Sequence, residues 1–260
     1  MHEFSLYGQV PASEYDVVVQ QLAGVTRMQP QQVKELHLVF KPTIPPGAQL
    51  ISRATDVNRI QTPEIQRITK GLTSSLNTAQ LIGTFENTTR DGLTNDVDMS
   101  NGGSTATTER TIRWSLVLQD IPEAGTQTLS SRQTYTVPID GGDPMLFMSA
   151  FGFVYRSRYL QEGVRFFDRD ATLFLSRPVR ISQASSSTLE GLSTFDDDSK
   201  QLLDESGGYV LQTSVEVVDG MNKELKDRAT KQLMALSDTL KQAVSLTPGD
   251  RLALDTRFKA

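Results

Sequence analysis

Apolar residues spaced two apart recur along most of this chain, and that spacing limits its fold more than any other feature. A β-strand turns successive side chains to opposite faces, so a period of two marks a strand with one buried face. Phe4, Leu6, Gly8 and Val10 alternate with Glu3, Ser5, Tyr7 and Gln9, and Leu36, Leu38 and Phe40 alternate with His37, Val39 and Lys41. Trp114, Leu116 and Leu118 share a face, as do Tyr135, Val137 and Ile139. Phe151, Phe153, Tyr155 and Tyr159 also read as one face, with Arg156 and Arg158 turned the other way. In GYVLQTSVEVV, Leu211, Val215 and Val217 stand together, and short candidates such as VRIS bring the total to about eight strands. Few are joined by enough helix for parallel βαβ units, so the pattern is mainly β (α+β), as an antiparallel barrel or sandwich. A barrel also removes the exposed edges that a large sheet would leave.

Helices flank this pattern. In PASEYDVVVQQLAGVT, Ser13 is placed to cap a helix with Asp16 three residues on, Val18, Val19, Leu22 and Val25 form its apolar stripe, and Gly24 lies near its end. From about Asn222 to Val244, Leu225, Ala229, Leu233, Leu236, Leu240 and Val244 step by three or four, and TPGD then stops the helix. A shorter helix starts at Thr62-Pro63-Glu64, with Ile65, Ile68 and Leu72 on one side. The stretches 86–109 and 182–206 are polar and read as disordered loops between strands, because they hold too few apolar residues to offset the entropy of ordering them. No internal repeat is present.

Composition excludes several classes. The 260 residues, 37% of them apolar, can bury a substantial core and suit one large β domain or two small ones. A formal charge of −5 argues against nucleic-acid binding, which favours a basic excess. With no cysteine, disulfides and thiolate metal sites are out, and an intracellular setting fits. MHEFSLYGQVP lacks the basic and long apolar regions of a secretory signal, and no apolar run approaches the roughly 20 residues that span a bilayer. The expectation is a soluble protein.

Site chemistry is sparse. Only His2 and His37 offer an imidazole, and GGD at 141–143 leads through Asp143-Pro144 into a turn, not a phosphate cradle. Asn87-Thr88-Thr89 is a glycosylation sequon without a secretory context. In VRFFDRDATLFLSRP, read as one strand, Phe167, Arg169, Ala171, Leu173 and Leu175 share a face opposite Asp168, Asp170 and Thr172. The two aspartates are either a metal site or the wet face of an ordinary strand. Barrels that hydrolyse triphosphates carry glutamates one residue apart on a strand, and this chain has no Glu-x-Glu, which favours the wet face. Two alternatives stay open beside a binding protein: a metal-dependent phosphohydrolase using Asp168 and Asp170, and a barrel holding a small apolar ligand. Residues 151–180 carry a local arginine excess, and Tyr155, Arg156, Arg158 and Tyr159 form a candidate docking surface for an acidic or amphipathic partner segment.

HEFSLYGQVP with its following helix, FGFVYRSRYLQEGVRFFDRDATLFLSRP, VEVVDG and TPGDRLALDTRFK together resemble the Mediator subunit 18 family. The resemblance runs from end to end and contains no catalytic signature. It implies a single many-stranded antiparallel β-barrel with flanking helices over residues 1–260, similar in fold to triphosphate tunnel enzymes but without their activity. It also implies a heterodimer with Mediator subunit 20 and a tether through the C-terminal helix of Mediator subunit 8. Other head-module subunits and the RNA polymerase II machinery complete the implied partners. The setting would be the nucleus, with no cofactor, no direct nucleic acid and no membrane, and with activator signals relayed by contact.

Overall fold

A computed structural model describes residues 1–42, 77–86, 111–124, 128–182, 188–193 and 200–257. The helix expected at Thr62-Pro63-Glu64 and most of the 86–109 stretch, including Asn87, fall outside the described residues. The strands are β1 (His2–Val10), β2 (Gln31–Pro42), β3 (Ala79–Glu86), β4 (Thr111–Gln119), β5 (Ser130–Ile139), β6 (Phe153–Asp168), β7 (Ala171–Arg180), β8 (Gln201–Leu202) and β9 (Tyr209–Val217). Neighbours run β6-β2-β3-β4-β5-β1-β9-β7, and β7 pairs back onto β6. Every pairing is antiparallel, so eight strands close into a barrel while the short β8 extends the end of β7.

Among the described residues four α-helices accompany it: α1 (Tyr15–Thr26), α2 (Pro144–Ala150), α3 (Leu189–Ser193) and α4 (Lys223–Leu240). Val18 and Leu22 of α1, with Ala229, Leu233, Leu236 and Leu240 of α4, pack with Phe4, Leu6, Phe166, Leu173, Leu211 and Val215 of the strands. An eight-stranded barrel has room inside for side chains or one small ligand but not for two helices, so the face that these helices cover must be the outer one. The register extends that assignment around the wall. Phe4 stands opposite Val215, Val215 opposite Ala171, Val164 opposite Leu175 and Leu36 opposite Leu160. Cross-strand partners share a face, so all of these point outward. A second outward cluster joins Leu36, Leu38, Phe40, Leu81, Leu116 and Leu118 to Met148 of α2 and Leu192 of α3.

The hairpin at the end of β6 departs from the sequence reading. Asp168 pairs with Ala171, leaving Arg169 and Asp170 as a two-residue turn, with Arg169 at φ +53°. The turn reverses the chain inside a run that alternates as one strand. Phe166, fully buried, therefore faces the core, whereas Phe167 is exposed.

A β-bulge between Val39 and Phe40 makes a second departure, because it shifts the partners in β6 from Ser157 to Tyr155. The extra residue puts Tyr155 on the outer face with Phe40 while Tyr159, paired with His37, points inward. Phe151 belongs to the end of α2, which the sequence reading missed, and Asp143 caps that helix by accepting from Met145 N at 2.8 Å. A proline at the first helical position suits this start.

Asn222 caps α4, its side chain accepting from the backbone of Glu224 and Leu225. Ser13 does not cap α1: it lies in a short 3-10 turn (Ala12–Glu14) ahead of it, and the helix ends at Arg27 with φ +57°, past Gly24. Within the 182–206 stretch, α3 and β8 are ordered elements, and Leu192 is 1% exposed. Leu192 and the partly buried Leu189 anchor this polar segment onto the outer cluster.

Candidate functional site: the polar lining of the barrel

The inner face of the wall is built from the alternate residues of the same strands. Glu3, Ser5 and Tyr7 line it from β1, Glu35 and His37 from β2, Arg132 and Thr134 from β5, and Tyr159, Gln161 and Arg165 from β6. The Arg132 guanidinium donates to Glu3 Oε2 at 2.6 Å, and both side chains are 7% exposed. Gln212 Nε2 donates to the other oxygen of Glu3 at 2.8 Å. On the far wall Arg165 donates to Glu35 Oε1 at 2.9 Å, and His37 Nε2 lies 3.6 Å from Glu35 Oε2. His37 Nδ1 is 3.1 Å from Gln80 Oε1, and the imidazole stacks on Tyr159 with ring centroids 4.6 Å apart. The Arg165 guanidinium also lies over the Phe174 ring, 4.7 Å from its centroid.

Titration behaviour follows from these contacts. Burial alone would raise the Glu35 carboxyl, but the His37 imidazole and the Arg165 charge outweigh it and hold Glu35 below the usual carboxylate range. The Tyr159 phenol is pushed up to about 12, first by burial and then by the negative charge of Glu35. Glu3 and Glu35 therefore each have their own arginine on a neighbouring strand. A metal or triphosphate site needs the opposite arrangement, with charges of one sign converging on an empty centre. Among the described residues no group of three or more histidines, aspartates and glutamates converges.

The sequence-derived candidates are spread over three environments. Tyr155 packs with the second outer cluster, its ring edge-on to Phe40 at 6.0 Å. Arg158 is 9% exposed and donates to the carbonyls of Ser182, Gly191 and Leu192, so it holds α3 against the barrel. Tyr159 faces inward, and Arg156 alone of the four is exposed. Asp168 precedes the turn of the β6–β7 hairpin and Asp170 lies in it, where Arg228 of α4 donates to Asp170 and Gln232 donates to the Asp168 carbonyl at 2.7 Å. They do not converge on a common centre.

Sequence reasoning missed the Glu3–Arg132 and Glu35–Arg165 pairs. Their signal was present as polar residues two apart opposite each apolar stripe, but that pattern also describes a solvent face. Only closure of the barrel turns it into a lining.

Comparison with known proteins places this architecture. A family model described as Med18 protein matches residues 2–257. The chain belongs to the Med18 family. It is 37% identical over 270 residues to Mediator of RNA polymerase II transcription subunit 18 from Coccidioides immitis, with all of both chains covered. The subunit of that name from Aspergillus fumigatus is 34% identical over 271 residues, again with both chains fully covered. In the solved Schizosaccharomyces pombe Mediator head module, one chain matches with a TM-score of 0.64 at 17% identity, covering 96% of this chain and 99% of that one. That last likeness is one of fold.

Proposed function

We propose that this chain is a non-enzymatic subunit of the Mediator head module that acts by contact in linking activators to RNA polymerase II transcription in the nucleus. The observation that carries this reading is end-to-end similarity to curated Mediator subunits at 34–37% identity. The lining supports it, since its two buried carboxylates, Glu3 and Glu35, are each paired with an arginine within the wall. The finer assignments belong to the same proposal: a heterodimer with Mediator subunit 20, and a tether through the C-terminal helix of Mediator subunit 8. Of the four residues Tyr155, Arg156, Arg158 and Tyr159, Arg156 is exposed on the surface, and Tyr159 lines a hollow at the barrel mouth.

Affinity purification of the tagged full chain from nuclei tests the reading. Co-purification of Mediator subunits 20 and 8 with other head-module subunits is expected, and recovery without any Mediator subunit overturns it. Purified chain incubated with triphosphate and magnesium or manganese is expected to release no phosphate. Release abolished by Asp168→Ala with Asp170→Ala would restore the hydrolase.

A further inference from the structure

The chain after α4 runs onto the rim of the barrel. Val244 and Leu246 pack outside Gly8, where an added Cβ would lie 2.3 Å from Val244, and Thr247 then exchanges main-chain bonds with Tyr7 at 2.7 and 2.8 Å. Beyond that point the tail crosses to Ser130, which accepts from Gly249 N at 2.7 Å, and to the Pro122 carbonyl, which accepts from Arg251 Nε at 2.8 Å. β5 pairs with β1 only as far as Ser5. Antiparallel main-chain groups alternate in direction, so Gln9 turns its N–H and carbonyl to the same side as Tyr7. The register set by Tyr7 and Thr247 would put Gln9 opposite Ser245, yet among the described residues no main-chain bond joins them. β1 thus keeps a short open edge at Gln9.

That edge borders a hollow of about 450 Å³ lined by Tyr7, Gln9, Val210, Thr247 and Asp250. Val210 also lines a second cavity of about 270 Å³, walled by Tyr159, Pro178 and Leu203 with Gln161 and Gln212 beside them. The two hollows share Val210 as a wall. Exposed apolar side chains line the second cavity, with Leu203 and Val210 at 51% and 41% exposure. Among the described residues, Asp250 is the only charged one lining either hollow.

We infer that this mouth of the barrel receives an extended, uncharged segment of a partner polypeptide, which pairs with the main chain of Gln9 and drops one large apolar side chain beneath Leu203. The open edge supplies hydrogen bonds that require extended backbone. The second cavity supplies an apolar anchor site, with side-chain amides able to meet a polar tip. Charge matching selects the partner's chemistry, because an acidic segment would meet Asp250 and a basic one would find a single carboxylate. The inference deepens the reading of this chain as a contact subunit and rests on it.

The probe is the blocked peptide acetyl-Thr-Val-Phe-Val-Thr-amide, titrated into full-length isotope-labelled protein, with its Phe-to-Ser counterpart as control. The Phe peptide should shift the amide signals of Gln9, Val210 and Leu203, and the Ser peptide should bind about tenfold more weakly. Val210→Arg and Leu203→Arg alter exposed side chains, so each should lose about tenfold in affinity at an unchanged melting temperature. Gln9→Pro removes only the open-edge donor and should also weaken binding. Equal binding of the two peptides, or shifts confined to another part of the surface, would overturn the inference. Loss with Val210→Arg but none with Gln9→Pro would overturn the strand pairing. Failure here with intact co-purification of Mediator subunits sinks this site alone, whereas peptide binding without co-purification sinks the Mediator reading.

Discussion

The outer and inner faces of one barrel wall are built from alternate residues of the same strands, yet they stay folded by different means. The outer face carries Phe4, Leu6, Leu173, Leu211 and Val215, and α1 and α4 cover it with leucines and valines. The inner face carries Glu3, Arg132, Glu35, Arg165, His37 and Tyr159, joined by ion pairs, amides and ring stacking. Apolar burial tolerates small changes of position because it scales with area. A buried ion pair depends on geometry, and removing one partner leaves a charge with nothing to balance it. The apolar layer of this protein thus lies between barrel and helices, while its centre is polar and exacting.

The comparison breaks first on the outside. Leu233 is fully buried between α4 and the barrel, so Leu233→Asp forces a carboxylate into an apolar contact and should cost more than about 4 kcal/mol, enough to unfold the isolated chain in a urea titration. A folded variant that had lost only its partners would show instead that α4 is an interface element. Inside the barrel, Arg132→Ala strands Glu3, and equilibrium unfolding should report a loss of about 3–5 kcal/mol. The double replacement Glu3→Gln with Arg132→Met should recover part of it, because no unpaired charge then remains.

A smaller effect is expected from pH. Glu35 is held below its ordinary range in the folded state, so its contribution is complete above the unfolded value of about 4.3 and is lost as pH falls through the folded value. The urea midpoint of the wild type should drop through that acid window, and Glu35→Gln should flatten the profile there. Tyr159 has the opposite sense. Its contribution is present below the unfolded value of about 10 and is lost as pH rises toward the folded value of about 12, so Tyr159→Phe should blunt alkaline unfolding. The smallest change belongs to the hairpin tip, where the Arg228–Asp170 pair is 67% and 47% exposed and Asp168→Ala with Asp170→Ala should move stability by less than about 1 kcal/mol.

Local chemistry was legible in the sequence wherever the signal was periodic, whereas the caps were misjudged at Ser13 and missed at Asp143. The period of two marked β1, β2, β4, β5 and β9, and the stripe of Leu225, Ala229, Leu233, Leu236 and Leu240 marked α4. Reading failed where one residue changed the phase. The Arg169-Asp170 turn hid inside an unbroken alternation, and the bulge at Val39 and Phe40 put Tyr155 and Tyr159 on opposite faces although they lie four apart in one strand. The four candidate docking residues therefore do not share one face.

The sequence by itself determined that this chain is mainly β, that its strands are two-faced, and that its long helix has one apolar side. Each of these depends on spacing within a segment. Tertiary structure decided which face is the inside. An apolar stripe needs cover, and either a packed barrel interior or an outer layer of helices provides it. Here α1 and α4 occupy the apolar side, so closure of β6 onto β7 encloses the polar one, and residues as distant as Glu3 and Arg132 become a buried pair. The residues of that pair lie 129 positions apart along the chain, a separation at which no local period carries information.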